Sequence, residues 1–162
     1  MMNKGQKGFS LIELLIVVAI IGIIAAIAIP NLLASRRAAN EGSAQQSLRT
    51  IHSSEATYQA TAGQGNFGAL ADLSAGNLID AVLTTGNKSG YAFEIVKVDR
   101  VVGPPPVPAT FYADAVPSVT GGVSQTGTRR FAIADDGVMH GDTTLSVPAN
   151  RAAVDAMAVL GN

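Results

Sequence analysis

An α+β fold is predicted, with one long N-terminal α-helix whose C-terminal half packs on a small antiparallel β-sheet. Three observations predict it. An apolar run from Phe9 to Ala34 leads directly into an Ala-, Ser-, Gln- and Arg-rich stretch, Arg36–Ala62, so helical character persists over both. Three later segments, Tyr91–Val98, Ala109–Val116 and Arg129–Ala134, carry strand-like residues between Gly-, Pro- and Ser-rich loops. Asp135-Asp136-Gly137 is a hairpin signal that returns the last of them antiparallel around Val138–His140.

The apolar run carries one charge, Glu13, and Leu14–Ile29 has none. Roughly 26 helical residues reach about 39 Å, enough to cross a hydrocarbon core of about 30 Å. A helix apolar all round must be covered by lipid or by protein. Lys4 and Lys7 precede the run and Arg36 and Arg37 follow it, so positive charge alone gives no orientation. In the second half, Leu48, Ile51 and Tyr58 fall on one face, with His52 and Glu55 off it. Gly63-Gln64-Gly65 ends the helix, which is therefore expected over Phe9–Ala62. Pro30 removes a backbone donor and crowds the preceding turn, so a kink or local melting is expected near Ile27–Asn31.

Beyond the helix, Ala69–Leu73 and Asn77–Leu83 read as short helical turns, with Asn77 as an N-cap. Gly86–Gly90 reads as a turn. Tyr91, Phe93 and Ile95 share one strand face, as do Phe111, Ala113 and Ala115. Pro104-Pro105-Pro106 and Pro108 make an extended loop. Asn150–Leu160 reads as a closing helix with Gly161 as its stop.

The chain has 162 residues, a formal net charge of −1 and no cysteine. Disulfides and thiolate metal sites are excluded, and no basic field points to nucleic acid. His52 and His140 fall on different elements and read as surface residues, so no catalytic triad or metal set is expected. Asp135, Asp136 and Asp142 flank glycines and form a candidate Ca²⁺ group, but their spacing matches no EF-hand and a plain hairpin turn is preferred. Arg129, Arg130, Lys88, Lys97 and Arg100 offer possible phosphate contacts, and ordinary surface charge is preferred there too.

The segment Lys7-Gly8-Phe9-Ser10-Leu11-Ile12-Glu13-Leu14 resembles the N-terminal signature of type IV pilins and of the pseudopilins of type II secretion. The resemblance extends over Gly5–Arg37, and Gly22 and Pro30 stand where pilins carry a glycine and a proline. It implies the pilin fold. It implies cleavage by a prepilin peptidase between Gly8 and Phe9, N-methylation of Phe9, and assembly into a helical homopolymer by a cytoplasmic ATPase and an inner-membrane platform. The expected organisation is a leader at 1–8, a transmembrane and filament-core helix at 9–35, and a surface or periplasmic head at 36–162. In the head, 36–62 is the amphipathic half of the helix and 63–162 an α+β module. Leu78-Ile79-Asp80, Ser89–Phe93, Arg130-Phe131 and Asp136-Gly137 resemble the head of some bacterial pilins. The chain departs from many pilins in lacking a disulfide-closed C-terminal loop, and in having Leu32 and Ser35 where tyrosines stand after the proline.

A carboxylate within a membrane span costs about 2.5–3.5 kcal/mol on insertion scales, so Glu13 calls for a partner. The amine of a neighbouring subunit's Phe9 supplies one, and the Glu13–Phe9 pair would set the register of each added subunit. Removing one partner of a buried pair typically costs about 3–5 kcal/mol. Gly8 leaves room for a peptidase at the backbone. Gly22 and Pro30 soften the helix and would let it change length on packing. An ordinary signal peptide, with an apolar region of about 7–15 residues before its cleavage site, fits poorly.

The expectation is a structural subunit, not an enzyme, with no cofactor. It sits in the inner membrane as a precursor and then in a surface filament serving adhesion, motility or DNA uptake. A pseudopilin of a periplasmic secretion filament is the alternative. A membrane-anchored hydrolase is a third reading, disfavoured because the catalytic groups are missing.

Overall fold

The structure, a computed structural model, describes residues 8–161. Lys4 and Lys7 lie outside them. Helix α1 (Leu11–Ala60) is followed by two short helices, α2 (Leu70–Ala75) and α3 (Ala81–Thr84). The strands are β1 (Asn87–Lys88), β2 (Tyr91–Val98), β3 (Thr110–Pro117), β4 (Arg130–Ala134) and β5 (Met139–Asp142), and helix α4 (Arg151–Asp155) precedes β6 (Ala158–Val159). The α+β class is observed. The six strands form one antiparallel sheet in sequential order. Every connection therefore joins neighbouring strands, the commonest arrangement for consecutive elements.

The chain divides into two compact units, the first ending at Ser35 and the second beginning at Arg36. Helix α1 belongs to both. In the second unit, Leu48 and Ile51 of α1 pack with Phe93, Phe111 and Phe131 on one sheet face. The opposite face carries Tyr112, Ala132 and Ala134 against Val154 of α4 and the nearby Met157. Strand β4 sits at the centre and is buried throughout. Its alternate residues serve the two faces, Phe131 and Ile133 on one, Ala132 and Ala134 on the other. The Tyr91 hydroxyl donates 2.8 Å to the Arg129 carbonyl. A Cβ on Gly127 would lie 1.9 Å from that hydroxyl, so glycine is required there by the close approach.

Several local expectations are corrected. Asn77 does not cap a helix: it has a positive φ of 53° after α2, and Asp80 caps α3 by accepting from the Leu83 N–H at 2.8 Å. Gly86–Gly90 is not all turn, because Asn87 and Lys88 pair with Ala92 and Tyr91. Only Ser89 and Gly90 form the two-residue reversal, both with positive φ as a primed hairpin turn demands. The closing helix is capped by Asn150, which accepts from the Ala153 N–H at 2.9 Å, but it ends at Asp155 rather than at Gly161. The following residues instead complete the exposed edge of β5, with the Leu160 N–H donating to the Met139 carbonyl at 2.8 Å.

The helix is unbroken through Ile27–Asn31 with Pro30 inside it, so the melting expected there is absent from the single chain. One lost hydrogen bond is bridged by the long helical stretches on either side, since extending a formed helix is far cheaper than starting one.

Candidate functional site

The first unit offers a continuous apolar surface. The large apolar side chains from Phe9 to Ile29 range from 50% exposed at Val17 to 92% at Phe9. Covering one such side chain is worth about 1.5–3 kcal/mol. This stretch is long and apolar enough to cross a membrane.

Helix α1 starts with an arrangement in the sequence Ser10-Leu11-Ile12-Glu13, the spacing of a capping box. The Ser10 N–H donates 2.8 Å to Glu13 Oε2, which satisfies a backbone donor that the helix leaves unpaired. The sequence reading assigned Ser10 no role, although the spacing carries the signal. Gly8 and Phe9 lie exposed just before this turn. A Cβ on Gly8 or Gly22 would meet nothing within 4 Å, so neither glycine is imposed by packing inside one chain.

In the second unit, polar side chains fasten α1 to the head. Asn40 Nδ2 donates to the Thr126 carbonyl at 2.8 Å. Glu41 Oε1 accepts from the Thr128 N–H at 2.8 Å and from its hydroxyl at 2.7 Å, while Oε2 accepts from Arg129 Nε and Nη2 at 3.1 and 3.0 Å. Burial pushes the Glu41 carboxyl up, but the Thr128 and Arg129 bonds outweigh it and hold it below the usual carboxylate range. Farther along, the Ser54 hydroxyl donates to the Leu78 carbonyl at 2.8 Å, and Glu55 Oε2 accepts from the Gly68 N–H at 2.8 Å.

Glu55 corrects the sequence reading, which placed it off the core face. It is fully buried, one turn from Ile51, and its Oε1 has no hydrogen-bond partner. Burial pushes its carboxyl up to about 7, against the opposing pull of the Gly68 N–H and Lys97. On the far sheet face Asp114 is also buried, with Oδ1 unpartnered, directly across from Glu94 in the β2–β3 register. Burial and Glu94 push it up to about 7.

The candidate Ca²⁺ group does not come together. Asp142 binds Arg130 through two bonds of 2.8 Å, whereas Asp135 and Asp136 both pair with Arg151. The acidic residues are taken by arginines that sequence spacing does not reveal. His52 is half-buried against Phe111, with ring centroids 6.0 Å apart. His140, read as a surface residue, is buried because it lies on β5 beneath the α4 segment, with Nδ1 3.1 Å from the Met157 carbonyl. The candidate phosphate contacts are largely committed to carboxylates: Arg129 to Glu41, Arg130 to Asp142, Lys88 to Asp80 and Lys97 to Asp99.

Residues 3–29 match the family model of the prokaryotic N-terminal methylation motif. The chain is 66% identical over 38 residues to the type IV wide pilus major component PilA4 of Thermus thermophilus, covering 24% of this chain and 29% of that protein. It is 43% identical over 56 residues to the type IV major pilin protein PilA of Myxococcus xanthus, covering 35% and 26%. A type IV major fimbrial protein FimA of Dichelobacter nodosus is 41% identical over 94 residues, covering 56% and 58%. The matched segments thus span less than two thirds of these relatives' length. No solved structure gave a significant match. The exposed apolar helix thus opens on the prokaryotic N-terminal methylation motif, and the chain is similar, most strongly in this N-terminal segment, to type IV pilins and fimbrial proteins.

Proposed function

We propose that this protein is a structural subunit that polymerises into a type IV pilus. The observation that carries the reading is the apolar surface of α1 from Leu11 to Ile29, exposed on every side and headed by the methylation motif. Such a surface needs lipid before assembly and other copies of itself afterwards. Its relatives are named as major pilins and fimbrial proteins, which favours a pilus over a secretion pseudopilus.

In this reading a prepilin peptidase cuts between Gly8 and Phe9, the new Phe9 amine is methylated, and the inner-membrane platform and ATPase move the subunit from the membrane into a surface filament. Glu13 receives the Phe9 amine of a neighbouring copy. Its Oε2 already serves the helix start, and Oε1 remains to meet the incoming cation. Gly22 and Pro30 leave the helix able to adjust its length on packing.

The test is the N-terminal residue of the protein purified from cells. Mass spectrometry should find a methylated phenylalanine, Phe9, in sheared surface filaments. Material that retains Met1–Gly8, or that stays monomeric in the membrane, would overturn the proposal.

A further inference from the structure

We propose that Asp136, His140 and Asp155 form a binding site in the head for a divalent transition-metal ion of the zinc class. The three residues come from the β4–β5 turn, from β5 and from the end of α4, and one ligand atom of each lies within 4.8 Å of the other two. Ligand atoms around a tetrahedral ion, at bond lengths of about 2.0–2.2 Å, sit roughly 3.3 Å apart. Asp136 Oδ1 accepts from the Val138 N–H and its Oδ2 from Arg151, each at 2.9 Å, so closing the set exchanges aspartate bonds to Arg151 for the ion.

The histidine gives the site its chemical character. The His140 ring is 5% exposed, and its Nδ1 lies 3.1 Å from the Met157 carbonyl oxygen. That oxygen only accepts, so Nδ1 donates to it, and in the neutral ring Nε2 then carries the lone pair. Anchoring one ring nitrogen to a carbonyl is how metal-binding histidines are oriented. Among the described residues Nε2 has no hydrogen-bond partner of its own.

Charge points the same way. Arg151 is shared among Asp135, Asp136 at 2.9 Å and Asp155 at 2.8 Å. One guanidinium against three carboxylates leaves two negative charges, the complement of a divalent ion. Asp155 is bound to Arg151 through Oδ1 alone, so Oδ2 is free to ligate. An imidazole in the set selects zinc, copper or nickel over calcium and magnesium, which prefer all-oxygen ligands. Three protein ligands leave a fourth position for water or for a group from another copy.

The test uses the untagged full chain in detergent, stripped with a chelator. Zn²⁺ is titrated by calorimetry, and Co²⁺ by its visible absorption. One ion per chain should bind, and His140→Gln and Asp155→Asn should each weaken binding by at least about tenfold. Because His140 is buried and its variant can misfold, the exposed Asp155→Asn decides the matter where His140→Gln is unfolded. Arg151→Gln should tighten binding by removing the resident cation. Absence of saturable Zn²⁺ binding, binding unchanged in Asp155→Asn, or Ca²⁺ binding as tight as Zn²⁺ would overturn the proposal.

Discussion

Glu55 accepts the Gly68 N–H at 2.8 Å while remaining fully buried, so a carboxylate ties α1 to the loop that follows it from inside the core. Its pKa, raised from 4.5 to about 7, sets a pH dependence of definite sign. Between these values the folded chain keeps a proton that the unfolded chain has released, so stability falls as pH rises from about 4.5 to about 7. Asp114, raised from 3.8 to about 7, acts in the same direction. Glu41, Asp80 and Asp142 are lowered, and their contribution is lost as pH falls below the ordinary carboxylate range. For these groups stability should therefore peak at about pH 4–4.5, near the ordinary carboxylate range, and fall toward pH 7. Glu55→Gln, which imitates the protonated form, should raise the Tm at about pH 8 and change it little at about pH 5. Thermal melts at the two values check this, and an equal loss at both would contradict the assignment.

Glu41 behaves oppositely. Its four bonds to Thr128 and Arg129 hold the loop before β4 against α1. Glu41→Ala strands the Thr128 N–H and hydroxyl in a part-buried site. The expected loss is about 2–3 kcal/mol, the scale for hydrogen bonds to a charged group. Arg129→Ala should cost less, because Thr128 still satisfies Glu41 and the arginine side chain is 40% exposed. Denaturant unfolding of the two variants gives the order, and a larger loss for Arg129→Ala would place the stabilisation in the ion pair instead.

Local patterns explain why the broad fold was legible. Strand β2 alternates over Tyr91–Ile95, β3 and β4 are short, largely buried runs bounded by Gly-, Pro- and Ser-rich loops, and Asp135-Asp136-Gly137 marks its hairpin. Strands β1 and β6 have two residues each, too few to show a period, and they exist through partners on β2 and β5. Glu55 was misplaced for a physical reason: it lies four residues after Ile51, on the core face, but a carboxylate reads as a surface residue until Gly68 supplies its donor. The burial of His140 and the pairing of Asp135 and Asp136 with Arg151 were hidden likewise, because α4 approaches from elsewhere in the chain, whereas Arg130 meets Asp142 through the β4–β5 register. At the N-terminus the reverse holds, since residues 10–13 carry both the resemblance and the unread spacing that lets Glu13 accept the Ser10 N–H.

Gly127 allows a sharper test of packing. Its missing Cβ makes room for the Tyr91 hydroxyl, and Tyr91 is fully buried beside Phe131, with ring centroids 6.0 Å apart. Gly127→Ala must displace the ring or break its bond to the Arg129 carbonyl. Overpacking of this kind costs about 1–3 kcal/mol. The double variant Gly127→Ala/Tyr91→Phe, which removes the hydroxyl, should recover part of that loss in denaturant melts. Strict additivity would mean that the two residues do not conflict.

Glu13 has two separable duties, and two substitutions divide them. Its carboxylate closes the first turn by accepting the Ser10 N–H, and in the proposed filament it also neutralises a neighbour's Phe9 amine. Glu13→Gln keeps an acceptor for Ser10 but removes the charge, whereas Glu13→Ala removes both. If pairing with the amine drives assembly, both variants should be cut after Gly8 yet yield few or no filaments. If Glu13 serves only the helix start, Glu13→Gln should assemble like the unaltered protein while Glu13→Ala alone fails. Immunoblots of sheared filaments beside membrane fractions distinguish the cases. Normal filament yield from Glu13→Gln would remove charge pairing from the mechanism and leave the cap, worth about 0.5–2 kcal/mol at the start of a helix, as its sole role.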